Sequence, residues 1–200
     1  IQTLKTTGFS EIRAVVGAGK DLVEKVIIPQ GVVTFEQKEQ KGTAHAVQSA
    51  DLDTLEGEVI ILNGDHPLIS TQEIHKALEE IRDQDADLAV LTCVMRSPGE
   101  FGRVVRQNNK LQAIVEVKDA SQDTLKIKEV NTGAYIVKAH ILKEFIPQIQ
   151  PHNKQNEYYL TDLVAVCVEN KKTVLGIKVS KRFAFGVNDQ IQLSKATTYI

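Results

Sequence analysis

Between Gly57 and Gly64 stand four consecutive apolar residues, Val59-Ile60-Ile61-Leu62, which hand the chain directly to Asn63-Gly64-Asp65. A continuous, mostly β-branched run of this kind has no polar face to offer to water. It is therefore expected to be a central parallel strand, buried on both sides. Such a strand demands helices above and below its sheet. That requirement excludes all-helical and simple hairpin architectures and makes an α/β fold the first expectation.

The surrounding pattern agrees. Residues 1–6 read as the end of a helix closed by Gly8, and 12–16 as a strand ending at Gly17. Leu22, Val23, Val26 and Ile27 repeat at helical spacing over 21–28. A strand over 32–35, a helix opening at Gly42, a helix over 71–82 with Thr71 as N-cap, and a strand over 88–94 follow. This alternation implies right-handed βαβ units around a mostly parallel sheet. The rhythm then changes. Residues 102–106, 111–117 and 130–137 form successive strand patterns with no long helix between the first two, which predicts hairpin-like antiparallel additions. Helices over 140–145 and 159–168, a strand over 173–179 and a helix from about Asp189 complete the chain. The expected class is α/β, a mostly parallel mixed sheet flanked by helices. No repeat or Pro/Gly-rich linker interrupts it, so residues 1–200 read as one domain.

Composition narrows the function. Lys and Arg total 24 against 26 Asp and Glu, a net charge of -2 that lacks the basic excess of a nucleic-acid binder. The longest apolar run, Leu163 to Val168, falls far short of the ~18 residues a membrane span needs. Cys93 and Cys167 lie in apolar stretches and read as small buried hydrophobes, which fits a reducing, cytoplasmic setting.

In open α/β sheets ligands bind beyond the carboxyl ends of strands, so the polar residues standing there are the candidates. Asp65 is placed by its strand to hold Mg²⁺, with Gly64 allowing close approach of the backbone; a plain Gly-Asp turn is the alternative. Asn188 supplies a second oxygen, or else caps the last helix. Gln37 to Ala46 forms a strand end, a polar loop and a Gly-Thr helix opening. Free N–H groups there suit a nucleotide, and a Gln carboxamide matches the imide edge of uracil or thymine. His45 reads as a packed or capping residue. Glu116 and Asn131, near strand ends, carry the acceptors and donors that grip vicinal sugar hydroxyls. Gly102 allows close backbone approach or marks a bulge, and Tyr158-Tyr159 with Thr161 suggests a sugar wall or a simple cap. Gly17-Ala18-Gly19-Lys20 lacks the spacing and the Ser/Thr of a P-loop and reads as an ordinary loop. There is no zinc spacing, nucleophile elbow or Cys–His pairing.

In this order the segments resemble one family. They are Gln37…Gln40-Lys41-Gly42-Thr43-Ala44-His45-Ala46, Asn63-Gly64-Asp65-His66-Pro67, Phe101-Gly102-Arg103-Val104, Ile114-Val115-Glu116-Val117-Lys118-Asp119, Glu129-Val130-Asn131-Thr132-Gly133, Glu157-Tyr158-Tyr159-Leu160-Thr161-Asp162 and Gly186-Val187-Asn188. The family is the uridylyltransferase domain of the bacterial bifunctional N-acetylglucosamine-1-phosphate uridyltransferase/glucosamine-1-phosphate acetyltransferases. The resemblance implies a Rossmann-like nucleotidyltransferase fold and Mg²⁺-dependent uridylyl transfer from UTP to N-acetylglucosamine 1-phosphate. It implies that Gln37, Gly42 and Thr43 bind uridine, that Asn63 and Gly64 touch the substrate, and that Asp65 and Asn188 hold the metal. Gly102, Glu116 and Asn131 would bind the amino sugar, with Tyr159 and Thr161 lining its pocket. A homotrimer is implied by the resemblance alone.

Two departures stand beside it. The family's opening strand and Gly-rich loop match nothing here, and the chain begins at Ile1, so the domain is expected to be truncated at its N-terminus and inactive as it stands. The left-handed β-helix of the acetyltransferase half has no counterpart before Ile200. A non-catalytic sugar-nucleotide-binding module, or a nucleotidyltransferase for another sugar 1-phosphate, remains an alternative reading.

Overall fold

The computed structural model describes residues 1–199. A helix, α1 (Gln2–Thr7), ends at Gly8, whose left-handed backbone lets its N–H reach back to Leu4 and Lys5. Strand β1 (Arg13–Val16), helix α2 (Lys20–Ile27) and strand β2 (Val33–Glu36) then make a βαβ unit. Its two strands pair in parallel from Arg13↔Val33 to Val16↔Glu36. The loop that mimics a P-loop is an ordinary turn, and Lys20 spends its charge on Glu36 at 2.6 Å.

The main sheet has six strands: β3 (Glu58–Ile61), β4 (Leu88–Val94), β5 (Arg103–Gln107), β6 (Lys110–Val115), β7 (Glu129–Lys138) and β8 (Val174–Lys178). Of the apolar run at 59–62, residues 59–61 lie in β3, but the strand is neither central nor fully buried: each of its residues keeps partial exposure, it has one partner among the described residues, and that partner is not parallel. β3 pairs antiparallel with β7, from Glu58↔Lys138 to Ile61↔Tyr135. β7 inserts between β3 and β4. One of its edges is taken by β4 along its length, and the other is shared end to end by β5 near Val130 and β3 beyond Tyr135. β4 and β8 are parallel, and β5 and β6 form the expected hairpin. Asn108 and Asn109, both with positive φ, turn that hairpin in two residues, as a primed turn requires. The sheet is therefore mixed: β7 and β6 run against the other four strands.

Alternation along the strands splits the core into two layers. Leu88 and Val90 of β4, with Tyr135 and Val137 of β7, pack beneath α6 (Ala139–Phe145) and α7 (Asp162–Glu169). Ala89 and Leu91, with Ala134 and Ile136, face α4 (Thr71–Asp83), through its Ile74, Ala77, Leu78 and Ile81. β3 divides likewise, Val59 and Ile61 to the first layer and Ile60, with Leu62 just past the strand, to the second. Helices α3 (Thr43–Gln48), α5 (Gln122–Leu125) and α8 (Gln190–Thr197) complete the set.

Three boundaries differ from expectation. Ser70, not Thr71, caps α4, because its extended backbone lets its hydroxyl accept from Glu73 N–H. α7 starts at Asp162, which leaves Tyr159 and Thr161 in the connection before it. β6 stops at Val115, so Glu116 lies one residue past the strand end. Cys93 and Cys167 are free and buried, and burial pushes their thiols up to about 11 and about 12. Among the described residues no helix is long and apolar enough to cross a membrane.

Candidate active site

The loop between β2 and α3 is strapped to the segment preceding α7. Tyr158 N–H donates to Lys41 O at 2.8 Å, Ala44 N–H to Tyr158 O at 2.8 Å, and Leu160 N–H to the Thr43 hydroxyl at 2.9 Å. Gly42 sits in the middle with φ 115° and ψ 177°, a region open essentially to glycine alone. A Cβ there would lie 2.5 Å from Tyr158 O and 2.8 Å from Tyr158 N. The glycine lets two stretches of backbone cross.

Gln37 faces the same loop. Its Nε2 donates to Gly42 O at 3.0 Å and lies 2.9 Å from His45 Nδ1. Both amide hydrogens are thus spent inside the protein. Oε1 accepts no hydrogen bond among the described residues, so the carboxamide offers a ligand only an acceptor, rather than the full donor–acceptor edge expected from its chemistry.

At the end of β3 the chain turns through Asn63, Gly64 and Asp65. Val187 N–H donates to Asp65 O at 2.9 Å, which places Asn188 one residue from the Asp65 turn. The Asp65 carboxylate is substantially exposed, and its Oδ1 lies 3.7 Å from His66 Nε2. Asn188 does not cap α8. Asp189 does, its Oδ1 accepting from Gln192 N–H at 2.7 Å, and the Asn188 carboxamide bonds to no described residue. The pair offers one carboxylate and one carboxamide oxygen, both accessible. That donor set suits a hard divalent cation whose remaining positions go to water and phosphate. Gly64 has open space where a Cβ would stand, so no packing inside the protein requires it.

The third group gathers around β7, where two residues, Thr132 and Gly133, bulge out between the pairs Leu91↔Ala134 and Thr92↔Asn131. Gly133 has φ +78°, and a Cβ on it would strike the Asn63 amide. The bulge therefore seats Asn63 against β7. Asn131 is 8 % exposed; its Nδ2 donates to the Tyr135 hydroxyl at 2.8 Å and its Oδ1 accepts from Gly133 N–H at 2.9 Å. Gly102 O accepts from Asn131 N–H at 2.9 Å, and a Cβ on Gly102 would come within 3.1 Å of Glu116 Oε1. Glu116, Asn131 and Gly102 thus lie together at one end of β7.

Burial pushes the Glu116 carboxyl above the usual carboxylate range, and the Thr161 hydroxyl opposes the rise, while Asp162 and Asp119 add to it. Burial, helped by Asp119, raises Asp162 as well. Thr161 Oγ1 is near enough to favour the Glu116 charge, yet it is buried and makes no well-formed hydrogen bond among the described residues. Tyr159 is tethered to Gln155, its hydroxyl donating to Oε1 at 2.7 Å. Three contributions are absent from the sequence reading: the contact of His45 Nδ1 with Gln37; Tyr135, which locks Asn131; and Asp162, whose carboxyl crowds Glu116. Only the placement of His45, three residues after Gly42 on the same helix opening, was a signal available beforehand.

Comparison with known proteins gives a consistent picture. The nucleotidyl transferase family matches residues 19–182. The bifunctional protein GlmU of Bdellovibrio bacteriovorus is 51% identical over 98% of this chain. That of Thermosipho africanus is 43% identical over 98%. The chain spans 43% and 42% of these two relatives, less than half their length. Among solved structures, a Bacillus anthracis protein described as a glucose-1-phosphate thymidylyltransferase, crystallised with sucrose, superposes with a TM-score of 0.71. It is 19% identical, and the match covers 98% of this chain and 78% of that one, a likeness of fold.

Proposed function

The chain belongs to the nucleotidyl transferase family, and from that premise we propose that uridylyl transfer is the reaction its site serves in the intact protein. An oxygen of the phosphate of N-acetylglucosamine 1-phosphate attacks the α-phosphorus of UTP. A new P–O bond forms, the α–β phosphoanhydride bond breaks, and pyrophosphate leaves with UDP-N-acetylglucosamine as the other product. The family and the two GlmU relatives support the reaction class.

The observation that most favours this reading is the single segment 158–161. Its first residues strap the Gly42 loop, and its last places the Thr161 hydroxyl beside Glu116. A base site and a sugar site joined this rigidly hold two substrates at a fixed separation, which is the main thing such a transfer requires of a protein. In this reading Gln37, Gly42 and Thr43 anchor the uracil and ribose end. Gly102, Glu116 and Asn131 receive the sugar hydroxyls, Tyr159 and Thr161 wall the acetamido side, and Asn63 and Gly64 border the phosphates. Thr161 Oγ1, buried without a partner among the described residues, gains one when a sugar hydroxyl or amide arrives.

Asp65 and Asn188 would hold Mg²⁺, which when bound supplies charge neutralisation on the phosphates. No side chain here forms a covalent bond to substrate. The residues orient the two phosphates in line and exclude competing positions. In this reading residues 1–200 are a nucleotidyltransferase domain, taking only small-molecule substrates.

The test is pyrophosphate release by the intact protein, with UTP and dTTP each paired with N-acetylglucosamine 1-phosphate and glucose 1-phosphate. The UTP and N-acetylglucosamine pair should turn over fastest. Preference for dTTP with glucose 1-phosphate would overturn the substrate assignment, and sugar-nucleotide binding without any release would favour a non-catalytic module.

A further inference from the structure

We propose that His45 is a positioning residue that sets which nucleotide base the protein accepts, by fixing the orientation of the Gln37 carboxamide. The inference rests on the reading of residues 37–43 as the base-binding loop.

The argument starts from what each atom can do. Gly42 O is a carbonyl and can only accept, so the Gln37 atom 3.0 Å from it must be the NH₂ group. This settles the amide orientation on chemistry, without choosing between look-alike atoms. The same nitrogen lies 2.9 Å from His45 Nδ1. A primary amide has two hydrogens and no acceptor on nitrogen, so His45 Nδ1 must carry a lone pair, and the ring proton sits on Nε2. His45 is thereby held as one neutral tautomer, on the first turn of α3 whose start is fixed by the Tyr158 strap.

The consequence falls on the free side of Gln37. With both donors committed, Oε1 is its one uncommitted hydrogen-bonding atom. An acceptor there welcomes the N3–H of a uracil or thymine imide and repels the bare N3 of cytosine. Without His45, one amide hydrogen has no partner and the carboxamide has less reason to keep its orientation. Gly42 O alone then holds it, through a single rotatable contact. Base selection would relax before catalysis or sugar recognition did. A group that merely packed α3 would instead affect both substrates alike.

The intact protein is assayed for pyrophosphate release with UTP and with CTP at saturating sugar phosphate, then with the sugar phosphate varied. His45→Ala should raise KM for UTP about tenfold and lower the UTP-over-CTP preference by at least as much, about the worth of one hydrogen bond between polar partners. KM for the sugar phosphate should stay put. His45→Asn should restore the preference, since its Oδ1 offers an acceptor close to the position of Nδ1. In the free protein, ¹⁵N spectra of the His45 ring should show the proton on Nε2 and none on Nδ1; this readout needs neither substrate nor a tolerated variant. A proton on Nδ1, or a His45→Ala protein that keeps full preference while Gln37→Ala loses it, overturns the role of His45. Full preference in Gln37→Ala as well would overturn the base-loop reading itself.

Discussion

Replacing Gly42 with alanine asks for two things the structure refuses. The backbone at φ 115°, ψ 177° costs a non-glycine residue about 1–3 kcal/mol. The new methyl group would also stand 2.5 Å from Tyr158 O and 2.8 Å from Tyr158 N. Those are main-chain atoms, held by hydrogen bonds of their own to Ala44 and Lys41, and no rotamer change moves them aside. Overpacking of this kind costs a further ~1–3 kcal/mol. The sum, about 2–6 kcal/mol, should lower the melting temperature by on the order of 10 °C in a domain of this size. Gly8→Ala is the matched control. Its φ of 94° is also positive, but nothing lies within 4 Å of its Cβ, so only the backbone cost of about 1–2 kcal/mol applies. Urea unfolding of both variants, followed by circular dichroism, should separate them by about 1–3 kcal/mol, the overpacking cost that Gly8→Ala lacks. Equal destabilisation would mean that the crossing at Tyr158 is not the constraint, and that the strap does not hold the loop.

Asp65→Asn should reduce uridylyl transfer by orders of magnitude with an unchanged circular dichroism spectrum, since it removes the only charge from the proposed metal ligands; near-normal turnover at limiting Mg²⁺ would refute the assignment. The Glu116 carboxyl titrates above its unfolded-state value, so its ionisation weakens the fold as pH rises through the raised pKa. Glu116→Gln should therefore be the more stable protein at pH 7, with the advantage shrinking as pH falls toward about 4, and it should bind the sugar phosphate less well; a pH-independent difference in unfolding free energy would contradict this. Arg106 pairs with Glu129 at 2.7 Å and also donates to Gly176 O, tying the β5–β6 hairpin to β7 and β8. Arg106→Met should cost about 3 kcal/mol by stranding a half-buried carboxylate, measurable by the same unfolding assay; a loss under 1 kcal/mol would show that the clamp is dispensable.

The strands and helices were legible because their periodicity is local. Leu88 to Val94 and Ile74 to Ile81 announce the faces they bury. The direction of β3's neighbour was not, because Val59 to Leu62 carries no trace of a partner lying seventy-odd residues further on. The cap errors have one cause. Ser70 and Thr71, like Asn188 and Asp189, are adjacent residues with equivalent capping chemistry, and only the backbone angles decide between them. At the site, Glu116, Asn131, Asp65 and Gly42 could be picked out as polar or permissive residues at element ends. The role of His45 could not, since it arises from a contact with Gln37 across a loop.

The position of β7 also governs how the chain can be made. β4 is buried along nearly all its length, yet its two neighbours in the sheet, β7 and β8, both lie later in the sequence. A chain emerging from the ribosome has no strand to offer Leu88–Val94 until about forty more residues have followed, several seconds at about 5–20 residues per second. During that interval the most apolar strand of the sheet is an open edge, the state in which chains stick to one another. Substitutions that slow the arrival or the docking of β7 should lower soluble yield on synthesis more than they lower the stability of the finished protein.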